Sequence, residues 1–247
     1  MSDPGKRGEE RFDVLLGRWG IRVSSGQAWR LGVFLDELED WNKKINLTGV
    51  SSRRRIVDEL LADSVLPTPF LPDQGSLLDV GSGAGFPAIP IKIFKPRLRC
   101  QLIEPNSKKT RFLRQVIRLA RLQKIEVVEG RMEEQKPLLF PEGYDVIISR
   151  GFVPLPRFLT LCAPYLSPCG RMVAFLGGRG ESLIRESGDI IRTHRLFPFK
   201  RIPYSLLEKG SKREILILEK YGRQAGGTCE TTSDTGKEYL LDRTSDW

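Results

Sequence analysis

From residue 77 onward the chain alternates short apolar runs with amphipathic segments, and this alternation limits the fold more than any other feature. The runs are Leu77–Val80, Arg99–Glu104, Ile125–Glu129, Tyr144–Ser149 and Arg171–Leu176. Each has the length of a strand and is too short for an ordinary helix. Helical spacing predicts helices near 86–94, 107–122, 155–166 and 180–192. Such alternation gives a parallel sheet covered on both faces, because each crossover lays a helix across the strands. The ending differs. Arg195–Tyr204 and Arg213–Lys220 are strand-like runs with only a short polar loop between them. No crossover helix fits there, so the two should pair antiparallel.

Before this pattern the chain reads as helical, over 8–20, 27–47 and from Arg53 to about Leu66. In the second segment Leu31, Phe34, Leu35, Leu38 and Trp41 recur at helical spacing, and Ser51 and Ser52 can cap the third. Pro67, Pro69 and Pro72 then stop the helix. Residues 222–247 are rich in Gly, Thr, Ser and Asp and almost lack aliphatic side chains, the pattern of a mobile tail. The expected division is 1–72 helical, 73–221 sheet domain and 222–247 tail.

Five parallel strands with a terminal antiparallel hairpin is the arrangement expected of an S-adenosylmethionine-dependent methyltransferase, a Rossmann-like sheet. A dinucleotide-binding domain usually adds a sixth parallel strand after another helix. The 247 residues allow one large domain, or a domain with an appendage. No stretch approaches the length of a membrane span, and Met1 to Arg11 is polar, so the expected location is the cytoplasm. Forty basic residues against thirty-one acidic ones give a net charge of +9, which favours a polyanionic partner. Cys100, Cys162, Cys169 and Cys229 form no C-x-x-C pair, and His194 is the single histidine. Neither a metal site nor a disulfide framework is expected. Ser–His or Cys–His nucleophilic catalysis is not expected either.

The first strand runs into Asp79-Val80-Gly81-Ser82-Gly83-Ala84-Gly85-Phe86-Pro87. Gly81, Gly83 and Gly85 let the chain turn tightly and let a ligand touch the backbone. A carboxylate or phosphate fits the start of the helix that follows. Phe86 stands where a dinucleotide fingerprint has its third glycine, which argues against a bound pyrophosphate. It is compatible with the methionine part of S-adenosylmethionine. Glu104 ends the second strand, where a carboxylate can accept both ribose hydroxyls. NAD would use the same geometry. The third strand ends in Glu129-Gly130-Arg131-Met132-Glu133. Met132 suits soft contact with adenine and Glu133 suits hydrogen bonding. A core filler and a helix-start charge explain them equally well.

After the fourth strand stands Arg150-Gly151-Phe152. Methyltransferases acting on exocyclic amines commonly carry an Asn/Asp-Pro-Pro-aromatic turn here, and it is missing. Cys169, a conceivable nucleophile for pyrimidine carbon, precedes the fifth strand in a turn. Arg150 stays protonated, so it is a poor base and a good clamp for carboxylate or phosphate. The bland alternative is a structural salt bridge. Guanine N7 already has an available lone pair, so its methylation requires alignment and electrostatics rather than an acid–base residue.

Between Pro105 and Lys124 lie seven basic residues and no acidic one. Lys108, Arg111, Arg114, Arg118 and Arg121 fall in one stripe at 100° per residue, opposite Phe112, Leu113, Val116 and Ala120. Such a stripe suits phosphate contacts; more often a basic face is merely solvated. Arg53, Arg54 and Arg55 add a second cluster. Arg195, Lys200, Arg201, Lys212 and Arg213 add a third.

Together these segments resemble the small-subunit ribosomal RNA guanine-N7 methyltransferases, also called the glucose-inhibited division protein B family. The resemblance rests on Trp41-Asn42-Lys43-Lys44-Ile45-Asn46-Leu47-Thr48, the glycine loop, and Ser107-Lys108-Lys109-Thr110-Arg111-Phe112-Leu113. Arg131-Met132-Glu133-Glu134 and Ser149-Arg150-Gly151-Phe152 extend it. It implies a bacterial enzyme that uses S-adenosylmethionine to methylate N7 of a guanine near the decoding region of 16S ribosomal RNA; a monomer without metal is expected. It also implies cofactor contacts at Gly81, Phe86, Met132, Glu133 and Arg150. Where the family has Arg-Ala-Phe, this chain has Gly151 in the middle. Where it has a Lys-Gly pair after strand five, this chain has Leu176-Gly177-Gly178-Arg179. A basic residue near the RNA is then either lost or replaced by Arg179. Glu59-Leu60 stand where the family has a basic residue and a histidine. A same-fold RNA-binding protein without turnover, and a small-molecule methyltransferase, are the competing readings.

Overall fold

A computed structural model describes residues 12–50, 52–134, 142–151, 153–178, 180–206 and 212–222. Five strands run parallel: β1 (Gln74–Val80), β2 (Arg97–Glu104), β3 (Ile125–Glu129), β4 (Tyr144–Ser149) and β5 (Leu166–Leu176). β6 (Leu196–Ser205) and β7 (Lys212–Lys220) form the antiparallel end, and the sheet order is β3-β2-β1-β4-β5-β7-β6. The last strand therefore inserts between β5 and β6. The order reverses between β1 and β4, the crevice where ligands of such sheets gather at the carboxyl ends. In-register pairs bring those ends level: Val80 with Ile103, Glu104 with Glu129, and Ser149 with Ala174.

The helices are α1 (Phe12–Gly17), α2 (Ser25–Asn42), α3 (Arg53–Ile56), α4 (Ala62–Val65), α5 (Ala88–Phe94), α6 (Ser107–Leu119), α7 (Leu155–Cys162), α8 (Gly180–Glu186) and α9 (Gly188–Thr193). Several end earlier than their apolar spacing predicts. α2 stops at Asn42 because the Asn42 Oδ1 accepts from the N–H groups of Leu47 (2.8 Å) and Thr48 (3.0 Å), folding 43–48 into a turn. α6 stops before Arg121, whose φ of 51° is left-handed. The segment 53–65 is one helical path with a π-helical turn at Val57–Leu61, and Ser52 makes no side-chain cap. Ser51 and the segment 223–247 lie outside the described residues.

Alternation along the strands sorts the core into two layers. Leu77, Val146, Ile148, Val173, Ile215 and Ile217 pack on one face, against α2, the 53–65 path, α5 and α6. Leu78, Ile147, Met172, Leu216 and Leu218 pack on the other, against α7, α8 and α9. The change of pattern near residue 72 is a boundary along the chain, whereas the first core layer is continuous across it. Phe34 of α2 shows this continuity: fully buried, it lies 4.9 Å from the Phe86 ring and 6.4 Å from Phe112. Phe34→Ala should therefore cost about 3–5 kcal/mol. Urea unfolding should show a lower midpoint at unchanged slope, as for loss of packing in one cooperative unit.

Candidate cofactor and RNA site

The carboxyl edge is organised by the loop after β1. Gly81, Gly83 and Gly85 have φ of 76°, 55° and 87°, all in the region closed to most side chains. Gly85 is further confined, because an added Cβ would lie 2.8 Å from Ile89 Cγ1. Gly83 faces open space, with nothing nearer to an added Cβ than the Gly81 carbonyl at 3.8 Å. The N–H groups of Gly81 and Ser82 donate to the Ile103 carbonyl at 2.9 and 3.1 Å, binding the loop to β2. Phe86 turns its ring into the core against Phe34. It thus leaves its main chain for a ligand.

Two buried carboxylates sit beside this loop. Glu104 Oε2 accepts from the Gly83 N–H at 2.8 Å, and Oε1 accepts from the Asn106 N–H at 2.9 Å. Each oxygen keeps a second lone pair for a ligand hydroxyl. Asp79, at the end of β1, is fully buried, and neither of its oxygens has a hydrogen-bond partner. Burial pushes its pKa up to about 8; the nearby Ser82 hydroxyl opposes this, and the Glu104 carboxylate adds to it. A buried acid with no partner is costly, and a ligand ammonium relieves that cost. The open cradle at Gly83, the unpartnered Asp79 and the half-used Glu104 together fit the methionine and ribose parts of S-adenosylmethionine. Sequence reasoning assigned no role to Asp79. Its signal was a carboxylate inside the apolar run Leu77-Leu78-Asp79-Val80.

The remaining expected contacts divide. Met132 is buried among Leu78, Val80, Ile103 and Ile147, under the ligand edge. Glu133 is exposed and pairs with Arg157 at 3.2 Å. Arg150 leaves the edge of β4 toward the π turn. It donates to Asp63 Oδ1 (2.9 Å) and to the carbonyls of Glu59 (2.8 Å) and Leu60 (3.3 Å). Tyr204 and Arg213 reach the same Asp63 at 3.0 and 3.5 Å. This latch from the helical section to β4, β6 and β7 was not visible in the sequence. Arg179 and Phe152 lie outside the described residues.

Other reactive groups stand elsewhere. Cys169, on the first part of β5, is at the strand end opposite the loop and is disulfide-bonded, which the sequence reading did not anticipate. Burial pushes the thiols of Cys100 and Cys162 up to about 12. His194 caps α9, next to the start of β6 and likewise at the far end of the sheet. Among the described residues, no group of three or more His, Cys, Asp or Glu is placed to hold a metal ion, and no helix is long and apolar enough to cross a membrane.

α6 starts two residues after Glu104, with the Asn106 side chain accepting from the N–H groups of Lys108 and Lys109. Lys108, Arg111, Arg114, Arg118 and Arg121 are all exposed, while Phe112, Leu113, Val116 and Ala120 are buried. None of those five cations has an acidic partner among the described residues; Arg114 and Arg118 contact only the Val127 carbonyl and Gln115. The other basic clusters differ. Arg53 pairs with Asp36 and Glu39, and Arg55 with Glu59. Arg201 pairs with Glu181 and Glu214, and Arg213 with Asp63. Arg53 and Arg55 of the second cluster and Arg201 and Arg213 of the third are thus held in ion pairs, whereas Arg195 donates to the Gly222 carbonyl and Lys200 lies over the Phe70 ring.

Two outcomes test the loop. Asp79 holds a proton in the native state that the unfolded chain releases above about pH 4. Native stability without added cofactor should therefore fall as pH rises from about 4 to about 8, by at most ~1.4 kcal/mol per unit from this group. Asp79→Asn should match wild type near pH 4 and exceed it at pH 8 in urea titrations. Gly83→Val should remain folded but lose at least about 1–2 kcal/mol, because the side chain enters open space while its φ of 55° is strained. In calorimetry it should lose S-adenosylmethionine binding.

The sequence matches the family described as rRNA small subunit methyltransferase G over residues 27–209. It is 31% identical over 228 residues to the ribosomal RNA small subunit methyltransferase G of Brevibacillus brevis, covering 88% of this chain and 96% of that protein. A methyltransferase from Pyrococcus furiosus shares the fold, with a TM-score of 0.53 at 16% identity, covering 78% of this chain and 98% of the other. So does M. jannaschii TYW2 in complex with AdoMet, with a TM-score of 0.50 at 14% identity over 64% of this chain and 74% of the other. With a glycine loop and paired carboxylates at the edge of a methyltransferase sheet, and a family match across most of its length, the chain belongs to the rRNA small subunit methyltransferase G family.

Proposed function

We propose that this protein transfers a methyl group from S-adenosylmethionine to N7 of a guanine in 16S ribosomal RNA, acting in the cytoplasm as a monomer. The observation that carries the reading is a juxtaposition. The helix that leaves the cofactor edge beside Glu104 carries a stripe of five exposed cations that have no acidic partner among the described residues. When bound, S-adenosylmethionine supplies a sulfonium methyl that the N7 lone pair takes without loss of a proton.

The residues of the chain have matching tasks. Asp79 takes the ammonium of the methionine part, and the Gly81–Phe86 main chain lies along it. Glu104 accepts ribose hydroxyls while its bonds to Gly83 and Asn106 hold it in place. Met132 closes the apolar floor beneath the adenine, and Glu133 stands at its rim. Arg150, held by Asp63 and the carbonyls of Glu59 and Leu60, ties the end of β4 to the helical section and so acts as a positioning residue for the cofactor edge. No proton needs to be moved, so the reaction asks for no His or Cys at this edge. Lys108, Arg111, Arg114 and Arg118 contact RNA phosphates, and Arg179 supplies the basic residue after β5.

Radiolabelled S-adenosylmethionine with undermethylated small subunits should give label in 16S RNA, recovered as 7-methylguanosine by nucleoside mass spectrometry. RNA binding without transferred label would instead favour a binding protein of this fold. Charge reversal of Arg114 and Arg118 to Glu should weaken RNA binding and flatten its salt dependence. Each lost phosphate contact lowers the log–log slope by about 0.7–0.9. Cofactor affinity should be unchanged. If RNA affinity and slope stay at their wild-type values, the stripe is a solvated face.

A further inference from the structure

The cationic stripe of α6 leads away from the cofactor edge. From Lys108 to Arg121 it extends about 20 Å at 1.5 Å per residue. α2 lies antiparallel to it: Trp41 meets Phe112 at 5.8 Å, and Trp29 meets Arg121. Trp29 is 48% exposed, one of three large apolar side chains that the described residues leave at the surface. The guanidinium carbons of Arg121 and Arg30 lie 5.7 and 6.0 Å from its ring centroid. At those distances the two guanidinium groups cover the ring only in part, and about half of the side chain stays open. A closed stack exists elsewhere in the molecule, where Arg171 sits 3.8 Å from the Phe199 ring.

Arg121 itself is in the left-handed region, which costs a side-chain-bearing residue about 1–2 kcal/mol. Glycine or asparagine usually takes this place after a helix. A cation after the helix gains from the negative end of its dipole, and the Arg121 side chain is directed onto the Trp29 ring. Beside it, Arg114, Arg118 and Arg121 with Ile117, Ile125 and Val127 line a shallow cleft of about 360 Å³ between α6 and the edge strand β3. Glu126 also borders the cleft and accepts from the Gln101 side chain.

We infer that Trp29 and Arg121 form a stacking platform for an unpaired base of the RNA, a second anchoring point at the far end of the α6 stripe. The inference rests on reading that stripe as the RNA face. An indole accepts any base, because every base has a π-face, and a neighbouring guanidinium adds cation–π attraction. A single exposed ring is ordinary by itself; the place of Trp29 at the end of the cationic stripe, beside Arg121, is what points to a base. A protein partner would require a wider apolar patch than one ring.

The experiment compares binding of a single-stranded RNA of about twelve nucleotides with binding of a duplex. Trp29→Ala should weaken single-strand binding roughly five- to hundredfold. The salt slope should not change, since an indole neutralises no phosphate. Trp29→Phe should keep most of the affinity. Arg121→Gly should also weaken binding while urea stability holds or rises, because glycine accepts this turn freely. Both variants should bind S-adenosylmethionine normally. Full single-strand affinity in Trp29→Ala, with Arg114/Arg118 reversal still weakening it, would refute the platform and leave the RNA face standing. No effect of either change would remove the RNA face and the platform together. Equal weakening on single strand and duplex would refute stacking. Full RNA affinity with weaker binding to assembled subunits would overturn the platform in favour of a protein contact.

Discussion

The buried carboxylate of Glu104 joins the three parts on which the site depends. One oxygen holds the Gly83 N–H and the other holds the Asn106 N–H. Asn106 in turn caps α6. Loop, strand end and cationic helix are thereby fixed to one another by two charge-assisted hydrogen bonds, stronger than neutral ones. The parallel register of β1 with β2 makes this possible, because it sets Val80 beside Ile103 and brings the loop over the end of β2. A one-residue slip would exchange the two faces of the strand and put Asp79 and Leu78 on the wrong sides.

Asp63 does comparable work for the helical section. Arg150 from β4, Tyr204 from β6 and Arg213 from β7 converge on it. Its pKa is nevertheless raised to about 6, because burial outweighs the attraction of Arg150, the Tyr204 hydrogen bond and Arg213. The native state thus binds a proton there that the unfolded chain has released above about pH 4, and stability from this group declines as pH rises from about 4 to about 6. A pair of this kind is weak support for overall stability and stronger support for one arrangement of the π turn against the sheet.

What could be read from the sequence follows from range. Ile125–Glu129 and Tyr144–Ser149 are strands at their expected limits, because an apolar run between polar turns is a local signal. The terminal hairpin follows from the missing crossover. The exposed and buried sides of α6 follow from 100° geometry. Longer-range facts were hidden. Arg53 pairs with Asp36, seventeen residues earlier, so its cluster looked open when it is neutralised. Arg150 meets Asp63 across eighty-seven residues, and no local pattern announces that. The isolation of Asp79 depends on burial from every side. The left-handed Arg121 ends α6 before the apolar spacing does.

α6 also separates what folding requires from what the chain carries. Lys108, Arg111, Arg114 and Arg118 follow one another at i+3 or i+4, spacings at which like charges destabilise a helix by about 0.2–0.5 kcal/mol per pair. Lys108 and Lys109 lie in the first turn, where the positive end of the helix dipole disfavours cations. Burial of Phe112, Leu113 and Val116, each worth about 1.5–3 kcal/mol, outweighs these terms and keeps the helix folded. Glutamates at alternate positions of the exposed stripe would leave that burial untouched and remove the repulsion. The single-sign stripe therefore works against the stability of its own helix. A polyanion laid along it would relieve the repulsion through phosphate contacts and gain by counterion release. The same charges that weaken the free helix would then stabilise the complex.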